Sequence, residues 1–167
     1  VHTCQPLPNG DVMIAECGTK RIIEVDREGN IRKEAKWETS TGNVHLHCRI
    51  ARKLQNGHYL IAMVGEHVVR ELDGDGRVVW EYLTPGDPYV ALRLPDGNTL
   101  IGCGDGHKLI EVSPDKQVVW SLDENELPGI PLRFVAGVQR LPNGNTIVCN
   151  WGGHGHPNCR LSCCRWG

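Results

Sequence analysis

One four-residue phrase, returning at nearly even steps, constrains this chain more than any other feature. Leu-Pro-Asn-Gly at 7–10 returns as Leu-Gln-Asn-Gly at 54–57, as Leu-Pro-Asp-Gly at 94–97 and as Leu-Pro-Asn-Gly at 141–144. The steps are 47, 40 and 47 residues. A second landmark, Glu-Val-Asp at 24–26, returns as Glu-Leu-Asp at 71–73 and Glu-Val-Ser at 111–113, again 47 and then 40 residues apart. Two unrelated phrases share one spacing, so the chain is a tandem repeat. Its fold must be one that a unit of this length builds by stacking on copies of itself.

Each unit reads as four short strands. In the third copy they fall at 89–94, 98–103, 108–112 and 117–122, with Pro95-Asp96-Gly97 as the first turn. Pro presets φ there and Gly accepts a positive one. The same register places strands near 1–6, 11–16, 21–25, 46–53, 58–64, 68–72, 77–82, 134–141 and 145–150. Several of these are apolar throughout, as in sheets buried on both faces. Helical solenoids share the period but need apolar i, i+3, i+4 runs of ten or more residues, which the Gly and Pro punctuation forbids. The one stretch compatible with helix is 31–37, where Lys33 stands at the position of Trp80 and Trp120. Those two tryptophans read as packing between repeats.

Four strands per unit at this period is the signature of a β-propeller. The expectation is an all-β chain of four-stranded antiparallel blades, about 3.5 of them, at 1–43, 44–84, 85–131 and 132–167, the last degenerate. They make a single partial domain over 1–167, part of a larger six- to eight-bladed ring. At the tail the register expects Glu-Val near 158 and Trp at 167, and meets Asn158-Cys159 and Trp166 instead. Residues 159–166 are either a degenerate third and fourth strand or unrelated sequence. An open ring would leave a sheet edge through which copies associate.

Charge narrows the partners. With 18 basic and 20 acidic residues and no Lys/Arg block, nothing recruits nucleic acid. No apolar run approaches the ~20 residues of a membrane-spanning helix. The 8 cysteines are irregularly spaced for a disulfide framework. Cys17, Cys103 and Cys149, near the ends of apolar strands, read as buried thiols acting as small hydrophobes. Cys159, Cys163 and Cys164 lack the Cys-x-x-Cys spacing of a zinc site.

In an up-and-down four-stranded blade, the start of strand one and the two-to-three connection share one end, and the Leu-Pro-Asn-Gly turns lie at the other. His2, His45 and His47 fall at or before first strands, and His67, His107, His154 and His156 in two-to-three connections. Only His58 belongs to the opposite end. His67, His107 and His154 are register-equivalent, with Lys20 in the first copy. Arg49, Tyr89, Asp87, Asp105, Arg133, Asn150 and Trp151 fall on the histidine-rich end. The candidate ligand-binding set is therefore His45, His47, Arg49, His67, Tyr89, Asp105, His107, Arg133, Asn150, Trp151 and His154. Imidazole serves as base, nucleophile or metal ligand, and Arg clamps sulfate or carboxylate. The competing structural reading is that a repeated His only caps a strand end.

Arg-Leu-Pro-Asp-Gly-Asn-Thr-Leu-Ile at 93–101, Arg-Leu-Pro-Asn-Gly-Asn-Thr-Ile at 140–147 and Asp-Gly-Asp-Gly-Arg-Val-Val-Trp at 73–80 resemble PQQ-like, or quinoprotein-like, propeller repeats. Arylsulfotransferase-type propellers have similar blades. The resemblance covers roughly residues 1–155 and implies that first strands line a central channel, with the Trp strand outermost. It also implies an extracytoplasmic location. PQQ or a divalent metal is the cofactor that such blades allow, although no motif here places its ligands. Cys163-Cys164 resembles the adjacent cysteines that touch PQQ in some quinoproteins. Two function classes follow. One is a module binding a small molecule, carbohydrate or partner on the histidine-rich rim. The other is a fragment of an enzyme, either an arylsulfotransferase-like transferase with a histidine nucleophile or a metal-dependent polysaccharide lyase.

Overall fold

The computed structural model describes residues 2–152 and the strand at 162–166. In chain order the strands are β1 Thr3–Pro6, β2 Val12–Glu16, β3 Arg21–Val25, β4 Ile31–Lys36, β5 Ala51–Lys53, β6 Tyr59–Met63, β7 Val68–Leu72, β8 Val78–Leu83, β9 Val90–Arg93, β10 Thr99–Gly102, β11 Lys108–Val112, β12 Val118–Asp123, β13 Val135–Arg140, β14 Thr146–Asn150 and β15 Ser162–Trp166. Each pairs antiparallel with its chain neighbour, giving the sheets β1–β4, β5–β8, β9–β12 and β13–β15. The fold is all-β, built of propeller blades. The chain divides into two compact units, Val1–Leu83 with the first two blades and Thr84–Gly167 with the other two.

The repeated phrase folds the same way each time. Gly10, Gly57, Gly97 and Gly144 have φ between 85° and 91°. Each donates its N–H to the carbonyl of the Leu three residues earlier, at 3.0 Å in all four turns. Only Gly takes that φ at no steric cost. The residue before each Gly finishes the turn: Asn9, Asn56, Asp96 and Asn143 accept from the backbone N–H two residues on, at 3.0–3.1 Å. The acidic landmark is equally regular. A β-bulge interrupts the pairing of third and fourth strands between Glu24 and Val25, Glu71 and Leu72, and Glu111 and Val112.

Within the first unit, a core of Met13, Ile22, Trp37, Tyr59, Ile61 and Met63 with their neighbours joins the two sheets. Within the second, Leu94, Leu100, Leu109, Leu132, Val135 and Val148 do the same. The middle strands are the most deeply covered: β6 and β10 are buried at every residue.

Four sequence expectations are corrected. Residues 31–36 are strand β4 and not helix, with Lys33 opposite Glu24 as Trp80 is opposite Glu71. A stretch this short cannot sustain a helix against an open edge of β3, and only Ala35 need be buried. The expected strand at 46–53 shrinks to β5, because a 3-10 turn at Val44–Leu46, capped by the Asn43 side chain, leads into it. Trp120 is exposed on the edge strand β12 and lies outside the core between blades. Trp166 lies in a third strand, opposite Thr146, and not in a fourth. In that register Arg165 faces Ile147, the place that Glu111 takes opposite Leu100.

Candidate functional site

The two-to-three connections close on a left-handed residue. Lys20, His67 and His107, the register-equivalent positions, have φ of 53°, 50° and 53°. Their N–H groups donate to the carbonyls of Cys17, Val64 and Gly104 at 3.2, 3.0 and 3.2 Å. The shared feature is thus a backbone turn, which holds Lys in one copy and His in two. His67 is exposed. His107 is half-buried, its Nδ1 3.2 Å from the carbonyl oxygen of Leu132. His154 and His156 lie outside the described residues.

In the first unit, His45 sits in the 3-10 turn that enters the second blade, and its N–H donates to the Asn43 side chain at 3.1 Å. His45 and His67 lie at one end of β6, and His58 lies at the other. His47 is buried, with Nδ1 2.8 Å from the carbonyl of Cys17 and Nε2 2.9 Å from that of Thr41. Both ring nitrogens face backbone oxygens, so His47 is a packing residue with none left for a metal or substrate. Arg49 lies beside it in sequence. Its Nη1 is 3.4 Å from Nδ1 of His2, and its carbonyl accepts from the Thr3 hydroxyl at 2.9 Å. The His2 ring stands edge-on to that of His45, centroids 6.4 Å apart. Burial, and then the Arg49 charge, hold His2 below the ordinary imidazole value of 6.5. Arg49, His2 and His45 therefore gather potential positive charge at one spot.

In the second unit, three aromatic rings meet edge-to-face. Tyr89 and Phe134 lie 4.4 Å apart, and Phe134 and Trp151 5.3 Å. Asn150 is buried, and its side chain organises the entry to β13. Its Oδ1 accepts from the N–H groups of Arg133 and Phe134 at 2.8 and 3.2 Å, and its Nδ2 donates to the Pro131 carbonyl at 2.9 Å. Those bonds use both acceptor positions of its oxygen and one of its two N–H donors. Asp105 and Arg133 are exposed. Phe134 was not foreseen. As the only Phe in the chain, directly before a first strand, it was the available signal.

Sequence reading also passed over the role of the landmark glutamates. Glu24, Glu71 and Glu111 are buried, 5%, 9% and 8% exposed. Glu24 takes Lys53 Nζ at 2.7 Å and the Tyr59 hydroxyl, both from the next blade. Glu111 takes Arg140 Nη2 of the next blade at 2.8 Å and Asn98 Nδ2 of its own at 2.8 Å. Glu71 takes His58 Nδ1 at 2.7 Å and Asn56 Nδ2 at 3.2 Å. The signal was there: an acidic residue inside an apolar strand, repeated at the blade period. Among the described residues, no three His, Cys, Asp or Glu side chains gather as a metal site.

A family model described as Mal s 1 allergenic protein-like matches residues 43–160. No curated protein matches the chain. Among solved structures, a protein of unknown function from Bacteroides caccae is 30% identical with a TM-score of 0.82, over 92% of this chain and 57% of that one. A streptogramin B lyase is 16% identical with a TM-score of 0.69, over 89% and 47%. A catalytically inactive virginiamycin B lyase from Staphylococcus aureus, with quinupristin, is 14% identical with a TM-score of 0.67, over 90% and 48%. The chain thus spans roughly half the length of these proteins, and the lyases establish its fold alone.

Proposed function

Because the chain belongs to the Mal s 1 allergenic protein-like family, and its blades carry a cationic cluster at one end, we propose that it is a propeller module binding a small anionic molecule, a carboxylate or a sulfate. The observation that carries this reading is the Arg49–His2–His45 group, with 3.4 Å between Arg49 and His2 and 6.4 Å between the two rings. A guanidinium offers paired donors to an anion's oxygens, and the His2 imidazole adds charge once the pH falls below its lowered value. The PQQ-like and arylsulfotransferase-like resemblance of the blade sequences fits this reading, as does an extracytoplasmic location. A carbohydrate that carries an acid group belongs to the same ligand class.

The test uses 4-nitrophenyl sulfate as probe, followed by titration calorimetry at pH 8 and pH 5. Binding should strengthen on acidification, because protonated imidazole attracts the sulfate. Arg49→Ala should weaken it by about tenfold or more, the loss expected of a charge-assisted contact. His2→Ala should flatten the pH response, and His58→Ala, at the other end of β6, should leave binding unchanged. Absence of binding at both pH values overturns the reading. Release of 4-nitrophenol in the presence of a phenol acceptor would move the chain to the transferase class.

A further inference from the structure

Cys17 follows β2 in the first blade, and Cys48 precedes β5 in the second. Their Sγ atoms lie 3.0 Å apart across 31 residues of chain. Both are buried, 2% and 0% exposed. A second contact runs from the Cys17 thiol to the Cys48 carbonyl at 3.4 Å. The backbone on each side is tied down. The His47 ring faces the Cys17 carbonyl at 2.8 Å, and the same carbonyl accepts from Lys20 N–H at 3.2 Å. Arg49 N–H donates to the Ala62 carbonyl at 3.1 Å. The sulfurs are thus held against each other by two different blades. A disulfide bond is about 2.05 Å long, so closing it asks for about 1 Å of movement.

We propose that Cys17 and Cys48 form a disulfide that staples the first blade to the second. The oxidant is a low-molecular-weight disulfide. The Cys17 thiolate attacks one of its sulfurs, forming a mixed disulfide and releasing one thiolate. The Cys48 thiolate then attacks the Cys17 sulfur, forming the intramolecular bond and releasing the second. The two cysteine protons end on the two released thiols, so one external disulfide is reduced for each bond formed. Because both sulfurs are buried, exchange takes place during folding or when the 43–50 segment opens locally. Within the folded pair, the hydrogen bond from the Cys48 thiol holds Cys17 below the ordinary thiol range. The same bond, together with burial, pushes Cys48 up. Cys103 contrasts with the pair: burial pushes it up to about 12, an inert thiol.

The experiment compares the full chain after incubation with oxidised glutathione and after dithiothreitol. Each sample is alkylated in denaturant and digested with trypsin. The oxidised sample should yield peptide 1–20 linked to peptide 37–49. Fragmentation should place the bond on Cys17 and not on the exposed Cys4, and Cys4→Ser should keep the linked peptide. Oxidation should raise the melting temperature by about 10 °C, the shift expected for closing a loop of this length. Cys48→Ala should abolish the difference. Should that variant fail to fold, the wild-type and Cys4→Ser peptide maps still decide the matter. Complete alkylation of both cysteines after oxidation, or a bond mapped to any other pair, overturns the proposal.

Discussion

At the junction of the first and second blades, Glu24 on β3 reaches Lys53 at the end of β5. At the junction of the third and fourth, Glu111 on β11 reaches Arg140 at the end of β13. The distances are 2.7 and 2.8 Å, and Lys53 and Arg140 are register-equivalent. The surroundings differ. In the first unit the carboxylate also receives the Tyr59 hydroxyl, and the junction carries the Cys17–Cys48 pair and the buried His47 ring. In the second the carboxylate receives Asn98 of its own blade, and the junction carries Tyr89, Phe134 and Trp151. The repeat preserves the polar clamp and lets the packing around it vary. A buried carboxylate is costly unless paired, so its partner must be copied with it. Apolar neighbours need only fill volume, so they drift.

Removing the carboxylate should expose the difference most. Glu24→Ala leaves both a half-buried ammonium and a buried hydroxyl without their acceptor, and should cost about 3 kcal/mol. Glu111→Ala should cost about 2 kcal/mol, because its partners retain more access to water. Urea denaturation of each variant measures the gap, and equal losses would mean that the two clamps are interchangeable.

The next largest effect lies in the packing. Gly102 in the third blade stands where the second blade has Ala62 and the first has Ala15, both fully buried. A Cβ on Gly102 would meet Cγ1 of Val135 at 2.6 Å and Cγ1 of Val90 at 2.7 Å. Gly102→Ala should therefore destabilise the second unit by about 2 kcal/mol, even though the same residue is native to the first. Pairing it with Val135→Ala should recover part of the loss, and a chemical denaturation series checks both.

The smallest effect concerns acid. Burial pushes Glu24 up, but the hydrogen bonds from Lys53 and Tyr59 outweigh it and hold the carboxyl below its ordinary 4.5. A carboxylate depressed on folding stabilises fully above its unfolded value, and that stabilisation is lost as pH falls through the folded one. Tyr59→Phe should cost about 1.5 kcal/mol at neutral pH and shift the start of acid unfolding to higher pH. An unchanged acid profile would show that Lys53 alone sets the Glu24 value.

Much of the blade was legible because its signals are local. The Gly and Asn of each Leu-Pro-Asn-Gly phrase act within four residues, through φ and one side-chain bond. The same locality explains the errors. Residues 31–36 hold Lys, Glu and Ala, which favour helix on their own, and the edge of β3 overrode that preference. The Val44–Leu46 turn arose because Asn43 offered a cap just where the second blade begins. For the candidate site, the position of His45 and Arg49 followed from strand counting, but the loss of both His47 nitrogens to backbone carbonyls did not.

From the chain alone came the repeat, the four strands, the turn chemistry and the ends of β6 at which His45, His67 and His58 fall, since these follow from spacing and from conformations set within a few residues. Tertiary structure alone decided the partners of Glu24 and Glu111, the meeting of Cys17 with Cys48 and the ring contacts of Phe134. These join residues that lie far apart in the chain, and nothing local brings them together. They form only when one blade lies on the next, where burial makes an unpaired carboxylate costly and brings sulfur against sulfur.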